Sequence, residues 1–98
     1  MEIKKEIEGK KIIVRPIGRL DSNTSDEFLN YLNENFTSDF EELLIDFKDI
    51  DFISSKGLRV LVSTYKGLNK QKMAITNANV SVKDVLSLSG LLKVIEIQ

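Results

Sequence analysis

The chain has 98 residues, of which 42% are hydrophobic, and its 14 basic and 15 acidic residues nearly balance. This length suits a single small domain, so we expect residues 1–98 to form one unit with a modest core. The scattered Lys and Arg residues give no indication of direct nucleic-acid binding. Cysteine and histidine are absent, which excludes a thiol nucleophile and a Ser-His-Asp triad. We therefore expect a protein that is not an enzyme.

The N-terminal residues contain no apolar stretch of the signal-peptide type. No later stretch is long and apolar enough to span a bilayer. We therefore expect a soluble, cytoplasmic protein that does not insert into a membrane.

The first predicted elements are two strands joined by a turn. The sequence IEGKKIIV predicts a hairpin that turns around Gly9, and its second strand is expected to run from Lys11 to about Ile17. Pro16 indicates that this strand lies at an edge or ends nearby. Gly18 is expected to break it.

A polar segment and a helix follow. The segment holds four residues that favour helix N-termini, and the sequence does not decide which of them is the cap: Asp21, Ser22, Asn23 and Thr24. Apolar residues then recur at helical spacing, so this helix is expected to end near Asn35. The next segment, ELLIDF, is an almost continuous apolar run, which predicts a strand buried on both faces.

The segment KDIDFISSKG predicts a connecting loop before a second helix. That helix carries an apolar stripe at helical spacing, which is expected to face the core: Leu58, Leu61, Val62, Tyr65 and Leu68. KMAIT predicts a further strand. SVKDVLSLSG predicts a short helix that is capped at Ser81 and ends before Gly90, and LLKVIEI predicts the last strand.

The predicted order is therefore β-β-α-β-α-β-α-β. Strands that alternate with helices form sheets with parallel pairs and right-handed crossovers. We expect an α/β fold with a mixed, mostly parallel sheet and helices packed against it.

Three segments resemble a STAS domain: GRLD before the first helix, LLIDFKDIDFISSKGLRVL, and LSLSGLLKVIEI near the end. The resemblance extends from about Ile3 to Ile97. STAS domains include the bacterial anti-sigma factor antagonists and the cytoplasmic domains of sulfate transporters. No transporter segment precedes the domain, so the chain is more similar to a stand-alone antagonist.

The loop before the second helix carries the most specific part of this resemblance. Antagonists often have Asp-Ser-Ser-Gly-Leu there, or a Ser-Ser-x-Gly-Leu variant, and the serine two residues before the glycine is phosphorylated. The resemblance places the phosphorylation site at Ser55. Ser54 stands where the motif has its aspartate, and Lys56 stands where it has its second serine. The first difference removes a carboxylate that would help to orient the hydroxyl or the kinase.

Two roles are open for the pair Ser54 and Ser55 on physical grounds. A serine hydroxyl at a helix start can accept a hydrogen bond from a free N–H group, and a phosphate there meets the positive end of the helix dipole. Capping and modification are compatible. The resemblance adds a surrounding partner-binding surface, for which the candidate residues are Asp21, Ser22, Asn23, Thr24, Ser54, Lys56, Gly57 and Arg59.

The resemblance implies a protein that binds an anti-sigma factor with serine kinase activity and so releases a sigma factor. Phosphorylation would break this binding, and a serine phosphatase would restore it. The kinase would supply ATP and magnesium, so we expect no cofactor on this chain.

Alternative functions are a STAS subunit of a lipid-transport or signalling assembly without phosphorylation, or a receiver-like phosphoacceptor enzyme. The enzyme would need paired carboxylates near the N-terminus, which the sequence lacks. Asp46, Asp49 and Asp51 do not have the spacing of a metal-binding loop. We interpret them as a solvated acidic rim and expect no metal site.

Overall fold

A computed structural model describes residues 1–98 and contains six strands, three α-helices and one 3-10 helix. In chain order these are β1 (Glu2–Glu8), β2 (Lys11–Leu20), α1 (Thr24–Asn35), β3 (Glu42–Asp46), β4 (Ile50–Ile53), α2 (Ser55–Lys66), β5 (Lys72–Thr76), α3 (Val80–Leu88), the 3-10 helix (Leu91–Lys93) and β6 (Glu96–Ile97). The predicted α/β order is confirmed. One short strand, β4, is added inside the segment that was expected to be a loop.

The main sheet has the strand order β1-β2-β3-β5-β6. β1 is antiparallel to β2, and all the other pairs are parallel. The prediction of a mixed, mostly parallel sheet is therefore confirmed. The hairpin turn is also where the sequence placed it, and Gly9 adopts a φ of 61° there, a conformation that glycine accepts without strain.

β2 pairs with two different strands along one of its edges. Its predicted end near Ile17 is wrong, because the strand continues to Leu20. On one side, β3 pairs with residues 11–14 and β4 pairs with residues 18–20. Pro16 lies in the gap between these partners, so its missing N–H breaks no bond to either strand. Gly18 does not break β2: the register shifts beside it, and its N–H donates to the Asp49 carbonyl at 2.9 Å.

The helices cover one face of the sheet. On the covered face the strand residues are buried among helix side chains such as Phe28 and Leu61. On the opposite face, Ile13, Leu44 and Ala74 are only partly buried. The expectation that β3 is buried on both faces is therefore wrong. We call the uncovered side, with these three residues at its centre, the open face.

The predicted apolar stripe of α2 packs against the core. Leu61 is fully buried, and the other four stripe residues are partly buried and contact the core cluster. The sequence pattern missed Val60, which is also buried.

The C-terminal third differs from the prediction in two details. The cap of α3 is Asn79 and not Ser81, because the Asn79 side chain accepts a hydrogen bond from Val82 N at 2.8 Å. The last strand is also shorter than LLKVIEI suggested. Gly90 has a φ of 80° and leads into the 3-10 helix, so only two residues remain for β6.

Candidate functional site

The loop that carries the two serines is fastened to the end of β2. Ser54 N donates to the Leu20 carbonyl at 2.8 Å, directly after β4 ends. Ser54 has an extended backbone, and its Oγ accepts a hydrogen bond from Gly57 N at 3.2 Å. Ser54 is therefore the N-cap of α2, a role that serine fills well.

Ser55 is the first residue of α2 and is exposed. Its hydroxyl makes no hydrogen bond within the chain, since the neighbouring Ser54 fills the capping role. A phosphate on Ser55 would lie beside the free N–H groups of the first helical turn, where negative charge is favourable. The first turn of α2 contains no acidic residue that would oppose it.

Gly57 allows α2 to approach the sheet closely. A Cβ at this position would lie 2.9 Å from Ile53 Cγ1, 2.9 Å from Leu20 Cβ and 3.0 Å from the Leu20 carbonyl oxygen. These distances are too short for normal contacts, and two of the three atoms are fixed to the backbone of β2. Glycine is therefore required by packing within the domain, which gives Ser55 its position at the surface.

Lys56 links the start of α2 to the start of α1. Its Nζ lies 2.9 Å from Asp26 Oδ2 and 3.0 Å from the Ser22 carbonyl oxygen. Arg59 follows Ser55 by four residues and is also exposed, so the two side chains share one face of α2. Two cationic residues therefore accompany Ser55 in the first turns of α2, and one of them, Lys56, is paired with Asp26.

The loop before α1 is held by Asp21. Its Oδ1 accepts hydrogen bonds from Thr24 N at 3.0 Å and Asn23 N at 2.9 Å, and these bonds hold the pKa of Asp21 below its usual value. Asn23 occupies the cap position in the backbone but makes no side-chain cap bond. Thr24 Oγ1 accepts from Asp21 N and donates to the Arg19 carbonyl. Ser22 and Asn23 are exposed.

The structure therefore joins the two predicted loops into one surface. We call it the serine surface and define it by Ser22, Asn23, Ser55, Lys56 and Arg59. The sequence had grouped four more residues with them: Asp21, Thr24 and Ser54 shape this surface through side-chain hydrogen bonds to backbone groups, and Gly57 does so by close packing.

Sequence reasoning missed two residues at the border of this surface. The guanidinium of Arg19 lies 4.8 Å from the centre of the Phe52 ring, and Phe52 is 42% exposed. Arg19 Nε also lies 3.6 Å from Asp21 Oδ2. No clear signal in the sequence pointed to them, because Ile50-Asp51-Phe52-Ile53 does not alternate and the contact joins residues that lie far apart in the chain.

Asp46 does not belong to an acidic rim, contrary to the interpretation from the sequence. It is 5% exposed and binds the Arg15 guanidinium at 3.0 Å, Asn77 Nδ2 at 3.0 Å and Lys48 N at 2.9 Å. Burial by itself would raise the pKa of Asp46, but the three hydrogen-bonding partners outweigh burial and hold it below its usual value. Asp49 and Asp51 are exposed.

No group of three metal-ligating side chains comes together in the structure. None of the helices has the length and apolar character needed to cross a membrane.

The fold, and the loop that carries Ser54 and Ser55, are consistent with one protein family. The chain belongs to the STAS domain family, whose model matches residues 2–98.

Among its relatives, the anti-sigma F factor antagonist of Paenibacillus polymyxa is 32% identical over 100 residues, which cover 99% of this chain and 86% of that protein. An anti-sigma factor antagonist from Mycobacterium paratuberculosis superimposes with a TM-score of 0.88 at 22% identity, over 98% of this chain and 85% of that chain. The Bacillus cell fate determinant SpoIIAA in its phosphorylated form has a TM-score of 0.76 at 16% identity, over 99% of this chain and 91% of that chain. These structural likenesses support the fold.

Proposed function

We propose that this protein is an anti-sigma factor antagonist whose binding to an anti-sigma factor with serine kinase activity is switched off by phosphorylation of Ser55. Binding would release a sigma factor, and a serine phosphatase would return the protein to its binding form. The name of the 32% identical relative supports the antagonist role. The phosphorylated state of SpoIIAA supports a phosphorylation switch in this fold.

The observation that carries the proposal is the division of roles between the two serines. Ser54 caps α2, and the Ser55 hydroxyl is exposed without a partner in the chain. Modification of Ser55 therefore removes no hydrogen bond that the fold uses. A kinase can reach this hydroxyl without unfolding the helix.

The reaction needs little from this chain beyond the hydroxyl. The Ser55 oxygen attacks the γ-phosphorus of kinase-bound ATP, the bond to ADP breaks, and the hydroxyl proton passes to a base of the kinase. The phosphate adds between about 1.5 and 2 negative charges at neutral pH. Because Lys56 is paired with Asp26, Arg59 is the one unpaired cation of the serine surface, and the phosphate would change this surface from basic to acidic. A partner that docks through acidic groups would then be repelled.

Intact-mass analysis after incubation with ATP, magnesium and the anti-sigma factor kinase of the source organism tests the acceptor. We expect one added phosphate on the native chain and on Ser54→Ala, and none on Ser55→Ala. Ser54→Ala is the matched control, because it removes a neighbouring hydroxyl and the helix cap but leaves the proposed acceptor.

A second measurement tests the switch. Calorimetric titration of the kinase should show binding of the native chain and of Ser55→Ala, and binding at least about tenfold weaker for the phosphorylated chain. Phosphate on Ser55→Ala would contradict the assignment of the acceptor. Equal affinity of the modified and unmodified chains would contradict the switch. If an active kinase modifies no form, the STAS domain functions as an interaction subunit without phosphorylation.

A further inference from the structure

The open face of the sheet carries charges in an ordered pattern. The strand register aligns residues across β1, β2, β3 and β5 in rows that run perpendicular to the strands. One row alternates in sign: Glu8, Lys11, Glu42 and Lys72. None of these four side chains forms an ion pair within the chain. Their charges are therefore directed to solvent or to a partner.

The next row along the strands is apolar at its centre. Ile13 pairs with Leu44, and Leu44 pairs with Ala74. The row ends in Glu6 on β1 and Glu96 on β6. All three central residues remain partly accessible because no helix lies over this face. Apolar surface of this kind gains free energy when it is covered.

We propose that the open face binds a second copy of this chain, face to face, about a two-fold axis that runs parallel to the strands between β2 and β3. This axis places Lys11 of each copy opposite Glu42 of the other, so the pair occurs twice in the dimer. It also places Glu8 opposite Lys72, and Ile13 opposite Leu44. The charged row is thus complementary to itself, and Ile13 and Leu44 cover each other at the centre of the apolar row, with Ala74 opposite Glu6 at its side.

The charge pattern also selects this arrangement over the other two-fold packing of the same face. An axis perpendicular to the strands, through the apolar row, would place Lys11 opposite Arg15, and Glu42 opposite Asp46, which is already paired with Arg15; of the charged positions only Glu8 and Lys4 would meet with opposite sign. Like charges in direct opposition across an interface are strongly unfavourable. Face-to-face sheets keep their strands within about 30° of each other, so the pairs next to the axis, Lys11 with Glu42, stay in register.

The size of the face predicts a weak dimer. Strands lie about 4.8 Å apart and residues rise about 3.3 Å along them, so four strands of five residues and the short β6 cover on the order of 350 Å² per copy. Stable interfaces bury about 800 Å² per partner, and smaller ones belong to transient complexes. We therefore expect a dimer that forms at high protein concentration and weakens as salt screens the charges.

Sedimentation equilibrium up to millimolar concentration tests this proposal with two charge reversals. Lys11→Glu and Glu42→Lys should each weaken dimerisation at least about tenfold, because each places like charges across the axis twice. An equimolar mixture of the two variants should recover dimers. In the mixed dimer, positions 11 and 42 are both glutamate in one copy and both lysine in the other, so opposite charges again face each other at both places. A loss of folding in one variant cannot produce this recovery.

Lys83→Glu, an exposed charge reversal on α3, is the matched control and should dimerise like the native chain. A native chain that stays monomeric throughout the range would overturn the proposal. So would a dimer that both reversals leave unchanged, or a mixture that remains monomeric. The proposal does not depend on Ser55, because the serine surface and the open face are formed by different residues.

Discussion

Ser54 and Ser55 are chemically identical, and the backbone gives them different environments. Ser54 has the extended conformation of an N-cap and bonds to Gly57 N, and Ser55 begins the helix with a free hydroxyl. The sequence predicted that serines start this helix, but either residue satisfied the pattern. The dihedral angles decide which hydroxyl reaches back to the helix, because the side chain of an extended residue at the cap position can accept from the N–H groups of the first turn. The choice of Ser55 as acceptor came from the family resemblance, and it stays a prediction.

The close contact at Gly57 gives a prediction at this scale. Gly57→Ala should lower the free energy of unfolding by about 1–3 kcal/mol, because the new methyl group overlaps Leu20, and this loss exceeds the gain in helix propensity. Gly67→Ala is the control: its Cβ would meet only the Ser63 and Thr64 carbonyls, at 3.6 Å. Urea unfolding of both variants measures the difference. Equal stability of the two would contradict the packing role of Gly57.

At the scale of elements, the sequence predicted the long periodic segments and missed short ones. α1 ends at Asn35 and β5 spans KMAIT, both as predicted, although the sequence left the start of α1 open. β4 was missed because it has four residues and exists by pairing with the far end of β2, which no local pattern reveals. The predicted strand end near Ile17 was wrong for a related reason: Pro16, which suggested it, lies where the partner of β2 changes.

The cap of α3 gives a prediction at the scale of elements. Asn79 caps the helix, and its Nδ2 also donates to the Ile50 and Asp51 carbonyls at 3.2 and 3.3 Å. Asn79→Ala should therefore lower the free energy of unfolding by about 1–2 kcal/mol, since it loses the cap and the contacts to β4. Ser81→Ala, at the cap position that the sequence suggested, should change it by less than about 0.5 kcal/mol. Thermal unfolding that ranks the two variants in the reverse order would contradict this account.

For the whole molecule, the sequence predicted the order of elements but not that the sheet is covered on one side. An apolar run such as ELLIDF suits a strand buried on both faces, and it equally suits an inner strand whose second face is sheltered by neighbouring side chains. The buried Asp46 was likewise assigned to the surface, because its partners Arg15 and Asn77 lie 31 residues away on either side. Contacts of this length are not visible in a local pattern.

The cluster around Asp46 predicts how stability depends on pH. Its folded-state pKa is lowered, and the unfolded-state value is about 3.9. The stabilisation is therefore fully present above about pH 4, and it is lost as the pH falls through the folded-state pKa. Asp46→Asn should lower the free energy of unfolding at pH 7 by about 1–3 kcal/mol.

The difference between the native chain and Asp46→Asn should shrink towards zero as the pH falls below about 4. Urea unfolding across this pH range measures it, with Asp49→Asn as the exposed control. Asp49→Asn should match the native chain at every pH, because the Asp49 side chain makes no hydrogen bond or ion pair in the chain. A difference that stays constant down to low pH would show that the Asp46 carboxylate is not the source of the acid sensitivity.

The hydrogen bond from Ser54 N to the Leu20 carbonyl has a consequence for motion. β1 pairs with residues 11–17 of β2, and β4 pairs with residues 18–20, so the bond from Ser54 N fastens the loop to the part of β2 that β4 holds. Ser55 is already exposed in the folded chain, so no local opening event is needed to present its hydroxyl. The hydroxyl is presented continuously by the native state, so an enzyme that acts on it need not wait for a rare fluctuation.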